Sequence, residues 1–264
     1  MVDVTGPGTI RSDFEEEADR IIGWAARRGA VLRALGGIAV QHHCPSSDKP
    51  DFKREPKDLD FIGLGSQSRV LNQAFEELGY APDKRFNALH GNRRLLFLDP
   101  DSGRDTDVFL DKFEMSHSLP LKERLTLEDW SIPVTDLLMT KLQVAEINLK
   151  DITDAACVIV DHPLALGFEP EHINACRVAS LCASDWGLYT TTKDNLERID
   201  ARLPEFVTMD RDRRRISERI EDLRSVLVEE PKTLGWKLRN IIGKRIRWYE
   251  TPEETRGEGP IKLE

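Results

Sequence analysis

Apolar residues recur at Phe14, Ala18, Ile21, Ile22 and Ala25, the spacing of one face of an α-helix running to about Arg28. Ser12-Asp13 supplies a start signal and Gly29 a stop. The period then shortens: Val31-Leu32-Arg33-Ala34-Leu35 reads as a strand closed by Gly36-Gly37, and Ile38 to Cys44 as a short helix. A proline- and charge-rich loop from Cys44-Pro45 to Glu55-Pro56 precedes the strand Asp58-Leu59-Asp60-Phe61-Ile62. Ser66 to Leu78 is an amphipathic helix, with Val70, Leu71, Ala74, Phe75 and Leu78 on one side and Gly79 closing it. Phe86 to His90, Arg94 to Leu98 and Asp105 to Asp111 read as strands, the last following the turn signal Asp99-Pro100-Asp101-Ser102-Gly103.

From Leu125 onward the pattern is helical. Leu137, Leu138, Leu142 and Ala145 form a stripe behind Ser131-Ile132-Pro133, and Lys150-Asp151-Ile152-Thr153-Asp154 opens a helix whose apolar run is Ala155 to Val160. Helices are then expected over Pro170 to Asp185, Lys193 to Leu203, Arg211 to Glu229 and Lys232 to Trp248. The expected class is α+β: a small mixed β-sheet with helices on one face over residues 1–122, a helical domain over 123–250, and a flexible tail over 251–264.

Within that frame, certain polar residues stand where chemistry is placed. The two-residue period of a strand puts Asp58 and Asp60 on one face, where they repel unless a divalent cation sits between them. Asp107, between β-prone Thr106 and Val108, offers a third carboxylate on another strand. Gly36 and Gly37 lack Cβ atoms and let a phosphate or another backbone approach closely. Lys141 falls inside an apolar stripe, where an unpaired ammonium is costly, so it reaches an anion at a cleft edge or pairs with Asp136 or Asp154. Asp151 and Asp154 lie three apart at a helix start, where acids also serve as caps.

Gly36-Gly37, then Asp58-x-Asp60, then Asp107 resembles the nucleotidyltransferase superfamily of polymerase β type. Pro133 to Leu142, followed by Lys150 to Asp154, resembles its AbiEii toxin branch, and the likeness spans residues 20 to 160. The resemblance implies a nucleotidyltransferase-like fold that moves a nucleoside monophosphate from an NTP to an acceptor hydroxyl. It implies Mg²⁺ or Mn²⁺ on Asp58, Asp60 and Asp107, catalytic roles for these three with Lys141 and Asp154, and nucleotide contacts from Gly36, Gly37 and Lys57. The AbiEii likeness implies RNA, such as a tRNA end, as acceptor and an antitoxin as partner. A small-molecule acceptor of aminoglycoside type stays open, as does a nucleotide- or partner-binding module without turnover. One departure is the long interval from Gly37 to Asp58, whose Lys53, Arg54 and Lys57 either contact phosphates or are simply solvated.

Composition adds boundaries. A chain of 264 residues is long enough for two domains, and a net charge of −9 argues against wholesale nonspecific nucleic-acid binding. The last helical stretch is nonetheless locally basic and interleaved with aromatics, which suits either an acceptor surface or an ordinary amphipathic helix. No segment has signal-peptide or membrane-span character, so a cytoplasmic protein without membrane contact is expected. Cys44, Cys157, Cys176 and Cys182 lack paired spacing and read as reduced, mostly core thiols; in His42-His43-Cys44, adjacent positions on a helix diverge, which disfavours a metal site.

Overall fold

The alternation seen in the sequence is satisfied by one central sheet in the computed structural model, which describes residues 9–251. Its strands are β1 (Leu32–Leu35), β2 (Leu59–Gly63), β3 (Ala81–Pro82), β4 (Arg94–Leu98) and β5 (Asp105–Leu110), in the spatial order β1-β2-β5-β4-β3. β2 and β5 run parallel and the other neighbours antiparallel, so the sheet is mixed. Leu59, Phe61 and Phe97 are fully buried on one face, beneath α1 (Phe14–Arg27) and α3 (Ser68–Glu77). Phe75 of α3 stacks on Phe97 with ring centroids 4.3 Å apart and meets Phe61 edge-on at 6.2 Å.

The parallel register pairs Asp60 with Asp107 directly, so the opposite face of the two central strands carries the acids. At the end of β1, α2 (Gly36–His43) packs against both β1 and β2 and against the helical half of the chain. That half comprises α5 (Val134–Leu142), α6 (Leu149–Asp161), α7 (Ala175–Ser184), α8 (Trp186–Phe206), α9 (Asp210–Glu229) and α10 (Leu234–Ile242). The class is therefore α+β, a small mixed sheet with a helical C-terminal region, and one apolar core runs from the sheet into α5 to α9. Among the described residues no helix is long and apolar enough to cross a membrane.

Several boundaries differ from the sequence expectation. Phe86 to His90 is not a strand but lies in a helix, α4 (Lys84–His90), because the Asp83 side chain caps it by accepting from Phe86 N at 2.9 Å. α8 begins at Trp186 rather than Lys193: Asp185 caps Leu188 N, which outweighs the low helix propensity of Gly187 and the threonine run. α7 starts later than Pro170, after the short parallel pair β8 (Leu164–Ala165) and β9 (Ile173–Asn174), and α10 ends at Gly243 with φ +61°. The small hairpin of β6 (Lys112–Glu114) and β7 (Ser118–Pro120) had no sequence signal. The tail expected over 251–264 lies, apart from Thr251, outside the described residues.

Candidate functional site

The acids converge at the end of β1, β2 and β5. Asp58 is solvent-exposed just before β2, Asp60 lies within it, and Asp107 faces Asp60 across the parallel ladder. Burial raises the Asp60 carboxyl well above the usual carboxylate range, and the charges of Asp58 and Asp107 push it further, against partial relief from Lys141 and Arg94. Asp107 accepts from Arg94 Nε at 2.7 Å, and this guanidinium also lies 4.9 Å from the Phe109 ring centroid. Hard oxygen donors that repel one another are the ligand type Mg²⁺ or Mn²⁺ takes, although among the described residues the only group of three whose ligand atoms lie within 4.8 Å of one another is Cys44, Cys157 and Asp161.

The glycine pair sits against this cluster. Gly36 has φ +72°, and a Cβ there would lie 2.2 Å from Asp60 Oδ2; at Gly37 a Cβ would lie 2.2 Å from Arg54 Nη2. Backbone thus approaches both a carboxylate and a guanidinium where no side chain fits. Gly36→Ala is expected to cost about 1–2 kcal/mol through left-handed backbone alone, and to displace Asp60 as well. Thermal denaturation with and without Mg²⁺ checks it: the melting temperature should fall and Mg²⁺-dependent stabilisation disappear, whereas a wild-type Mg²⁺ response would show that the position accommodates a methyl.

Lys141 and Asp154 form the second layer. Lys141 Nζ is 2.9 Å from Asp154 Oδ2 and 3.2 Å from Asp151 Oδ1, and Arg54 makes a two-pronged ion pair with Asp154. Burial disfavours the Lys141 charge, but Asp154 and Asp151 more than offset it and raise its pKa. Burial likewise works against the Asp154 charge, and Lys141 with Arg54 more than reverses that and holds the carboxyl below its ordinary value. Asp154 is thus a buried anchor for two cations, with Arg54 reaching across to Gly37. Asp136, the alternative partner considered for Lys141, instead binds Arg124 at 2.7 Å and Arg177 at 3.4 Å. Lys57 is exposed.

Sequence reasoning underrated two residues. Arg54 shares with Lys53 and Lys57 a loop whose composition suits either phosphate contact or solvation, yet that loop is pinned at three points. Ser46 donates from N and Oγ to Asp161, Thr208 N donates to Asp51 at 2.8 Å, and Phe52 is buried with its ring edge toward Phe206. Buried Phe52, two residues before Arg54, was the available signal. Arg94 opened an expected strand but gave no hint of its partner, since only the β4–β5 register, with Leu96 opposite Asp107, brings it near.

The basic, aromatic C-terminal stretch is engaged with itself and with α8. Arg239 lies 4.6 Å from the Trp186 ring and donates to Ile246 O at 2.9 Å, Lys244 pairs with Asp194 at 2.6 Å, and Arg247 lies 4.7 Å from the Tyr249 ring. These contacts favour the amphipathic-helix alternative over an open stacking surface. The His-His-Cys run diverges as its spacing implies: His42 stacks on Trp130 at 4.0 Å, whereas His43 Nε2 lies 2.5 Å from Ser131 Oγ. Of the four cysteines, Cys44, Cys157 and Cys182 are buried and Cys176 is exposed.

No protein-family model matches the chain. No curated protein matches it either. Among solved structures, the solution structure of the antibiotic-resistance factor ANT(2'')-Ia is similar to this chain at 12% identity and a TM-score of 0.38, over 55% of this chain and 83% of that one.

Proposed function

We propose that this chain is a metal-dependent nucleotidyltransferase that moves a nucleoside monophosphate from an NTP to an acceptor hydroxyl and releases pyrophosphate. The observation that carries the reading is the pairing of Asp60 with Asp107 across parallel strands, beside Asp58, with Gly36 backbone against the Asp60 carboxylate. Asp58, Asp60 and Asp107 hold the cation. Bound Mg²⁺ or Mn²⁺ supplies Lewis-acid polarisation of the phosphate being attacked and of the leaving oxygen.

The protein's own groups do the rest. Gly36 and Gly37 leave room for a triphosphate to approach, and Arg54 and Lys141, both steadied by Asp154, set positive charge beside it. Lys57, exposed just before Asp58, can meet the outer phosphates. The acceptor oxygen forms a bond to the α-phosphorus as the bond to pyrophosphate breaks. Asp107, whose Oδ1 is occupied by Arg94, takes the acceptor proton on Oδ2.

Gly37→Ala forces the Arg54 guanidinium aside without left-handed strain. Steady-state kinetics are expected to show an NTP KM raised by roughly tenfold with kcat changed less, the loss of about one charge-assisted contact. A wild-type KM would remove Arg54 from the triphosphate.

In the AbiEii-like form of this reading the acceptor is RNA, with tRNA ends the first candidates, and the protein is a toxin held by an antitoxin. In the alternative form the acceptor is a small polyhydroxyl molecule of aminoglycoside type. Incubation with each α-labelled NTP, Mg²⁺ and either total RNA or an aminoglycoside panel separates them by where the label arrives. NTP binding without transfer to any acceptor would leave a nucleotide-binding module instead.

A further inference from the structure

We propose that Cys44, Cys157 and Asp161, with His162 as the fourth donor, form a structural Zn²⁺ site that fastens α2 to α6. The ligand atoms of Cys44, Cys157 and Asp161 lie within 4.8 Å of one another, whereas His162 Nε2 is near Cys44 but not within that distance of all three, so it must close in as the metal binds. Cys44, Cys157 and His162 are 0%, 1% and 3% exposed. Cys157 and Asp161 are four apart on α6, hence on one face, while Cys44 arrives from the end of α2.

His162 is already turned toward Cys44 in the way a ligating imidazole would be. Its Nδ1 is 2.9 Å from the backbone carbonyl of Glu171, which can only accept, so the ring proton sits on Nδ1 and Nε2 presents a lone pair. That lone pair is 3.6 Å from Cys44 Sγ. Zn–S and Zn–N bonds of about 2.3 and 2.0 Å at a tetrahedral angle give an S to N separation of about 3.5 Å. A histidine that donates its other N–H to a carbonyl is the arrangement that orients metal-bound imidazole. Asp161 is held in the same way: Ser46 N donates to Oδ2 at 2.7 Å and Ser46 Oγ to Oδ1 at 2.6 Å, and each oxygen keeps a further lone pair.

Two thiolates with one imidazole and one carboxylate select zinc over Mg²⁺ or Ca²⁺, because soft sulfur ligands suit the softer ion. The complex would carry one excess negative charge. Arg219, which donates to the carbonyls of Ile159 and Val160, brings a guanidinium close enough to feel Asp161. The site ties together the helix that begins with Gly36-Gly37 and the helix that carries Asp151 and Asp154. It shares no ligand with Asp58, Asp60 and Asp107, so it stands or falls apart from nucleotidyl transfer.

The test is metal content and near-ultraviolet absorption of the full chain, expressed in zinc- or cobalt-supplemented minimal medium and purified under reductant. About one metal per chain is expected, with an intense thiolate-to-cobalt charge-transfer band. Metal and band should persist in Cys176→Ser and in Asp58→Asn/Asp60→Asn. Both should be lost in Cys44→Ser/Cys157→Ser, and the band should shift and metal retention fall in His162→Gln, whose thiols are intact and whose fold is checked by circular dichroism. Wild-type protein with less than about a tenth of a metal per chain overturns the proposal. So does a cobalt protein without the charge-transfer band, or a mass showing a Cys44–Cys157 disulfide in place of metal.

Discussion

Asp60→Asn is expected to lower kcat for nucleotidyl transfer by about 10³-fold or more, and at pH 8 without divalent cations to raise the melting temperature. The two effects share a cause. Burial and the charges of Asp58 and Asp107 raise the Asp60 pKa in the folded protein. A group whose folded pKa exceeds its unfolded value, about 3.9 for aspartate, contributes stability below that value. The contribution is lost as pH rises through the folded pKa. Above that point the apo fold carries an ionised carboxylate it disfavours, and asparagine relieves it. A divalent cation reverses the balance by displacing the proton, so Mg²⁺ affinity should climb with pH until Asp60 is fully ionised. Melting curves from pH 5 to pH 8, with and without Mg²⁺, check both signs. An Asp60→Asn protein that melts below wild type at pH 8 without Mg²⁺ would show that the acids do not strain the fold.

Asp154→Ala should destabilise the protein by about 3–5 kcal/mol, because it takes the shared partner from two partly buried cations, removing the Arg54 ion pair and leaving Lys141 with Asp151. Arg54 and Lys141 both converge on this 2% exposed residue. Its carboxyl is held below the ordinary value, so its stabilisation is present above about pH 4 and lost on further acidification. Lys141→Met in the Asp154→Ala background should recover part of the loss in chemical denaturation, since it removes a buried charge that Asp151 alone only partly offsets. A double variant as unstable as the sum of the two single variants would mean that Lys141 and Asp154 are not coupled.

How far this was readable from sequence depended on whether the cause was local. The alternation Leu59-Asp60-Phe61 and Thr106-Asp107-Val108 told strand and face together, since a two-residue period leaves no freedom about which side chains share a side. That Asp60 lies directly opposite Asp107 is a property of inter-strand register, and no residue encodes it alone. Asp83 before Phe86 was a helix cap that the short apolar run obscured. The apolar stripe around Lys141 shows that it needs an anion, but the choice of Asp151 and Asp154 over Asp136 follows from the packing of α5 on α6, a tertiary fact. The same limit hid Arg54, whose placement depends on a loop tethered to α6 and to the turn before α9, and the meeting of Cys44 with Cys157.

The most direct test of the acid cluster is Mg²⁺-dependent pyrophosphate release, measured for wild type and Asp58→Asn/Asp60→Asn with γ-labelled NTPs and the acceptor mixtures above. The account predicts labelled pyrophosphate from wild type, none above background from the variant, and none from either when Mg²⁺ is chelated. Equal release from wild type and variant, or no release from folded wild type with any NTP and acceptor, would contradict it.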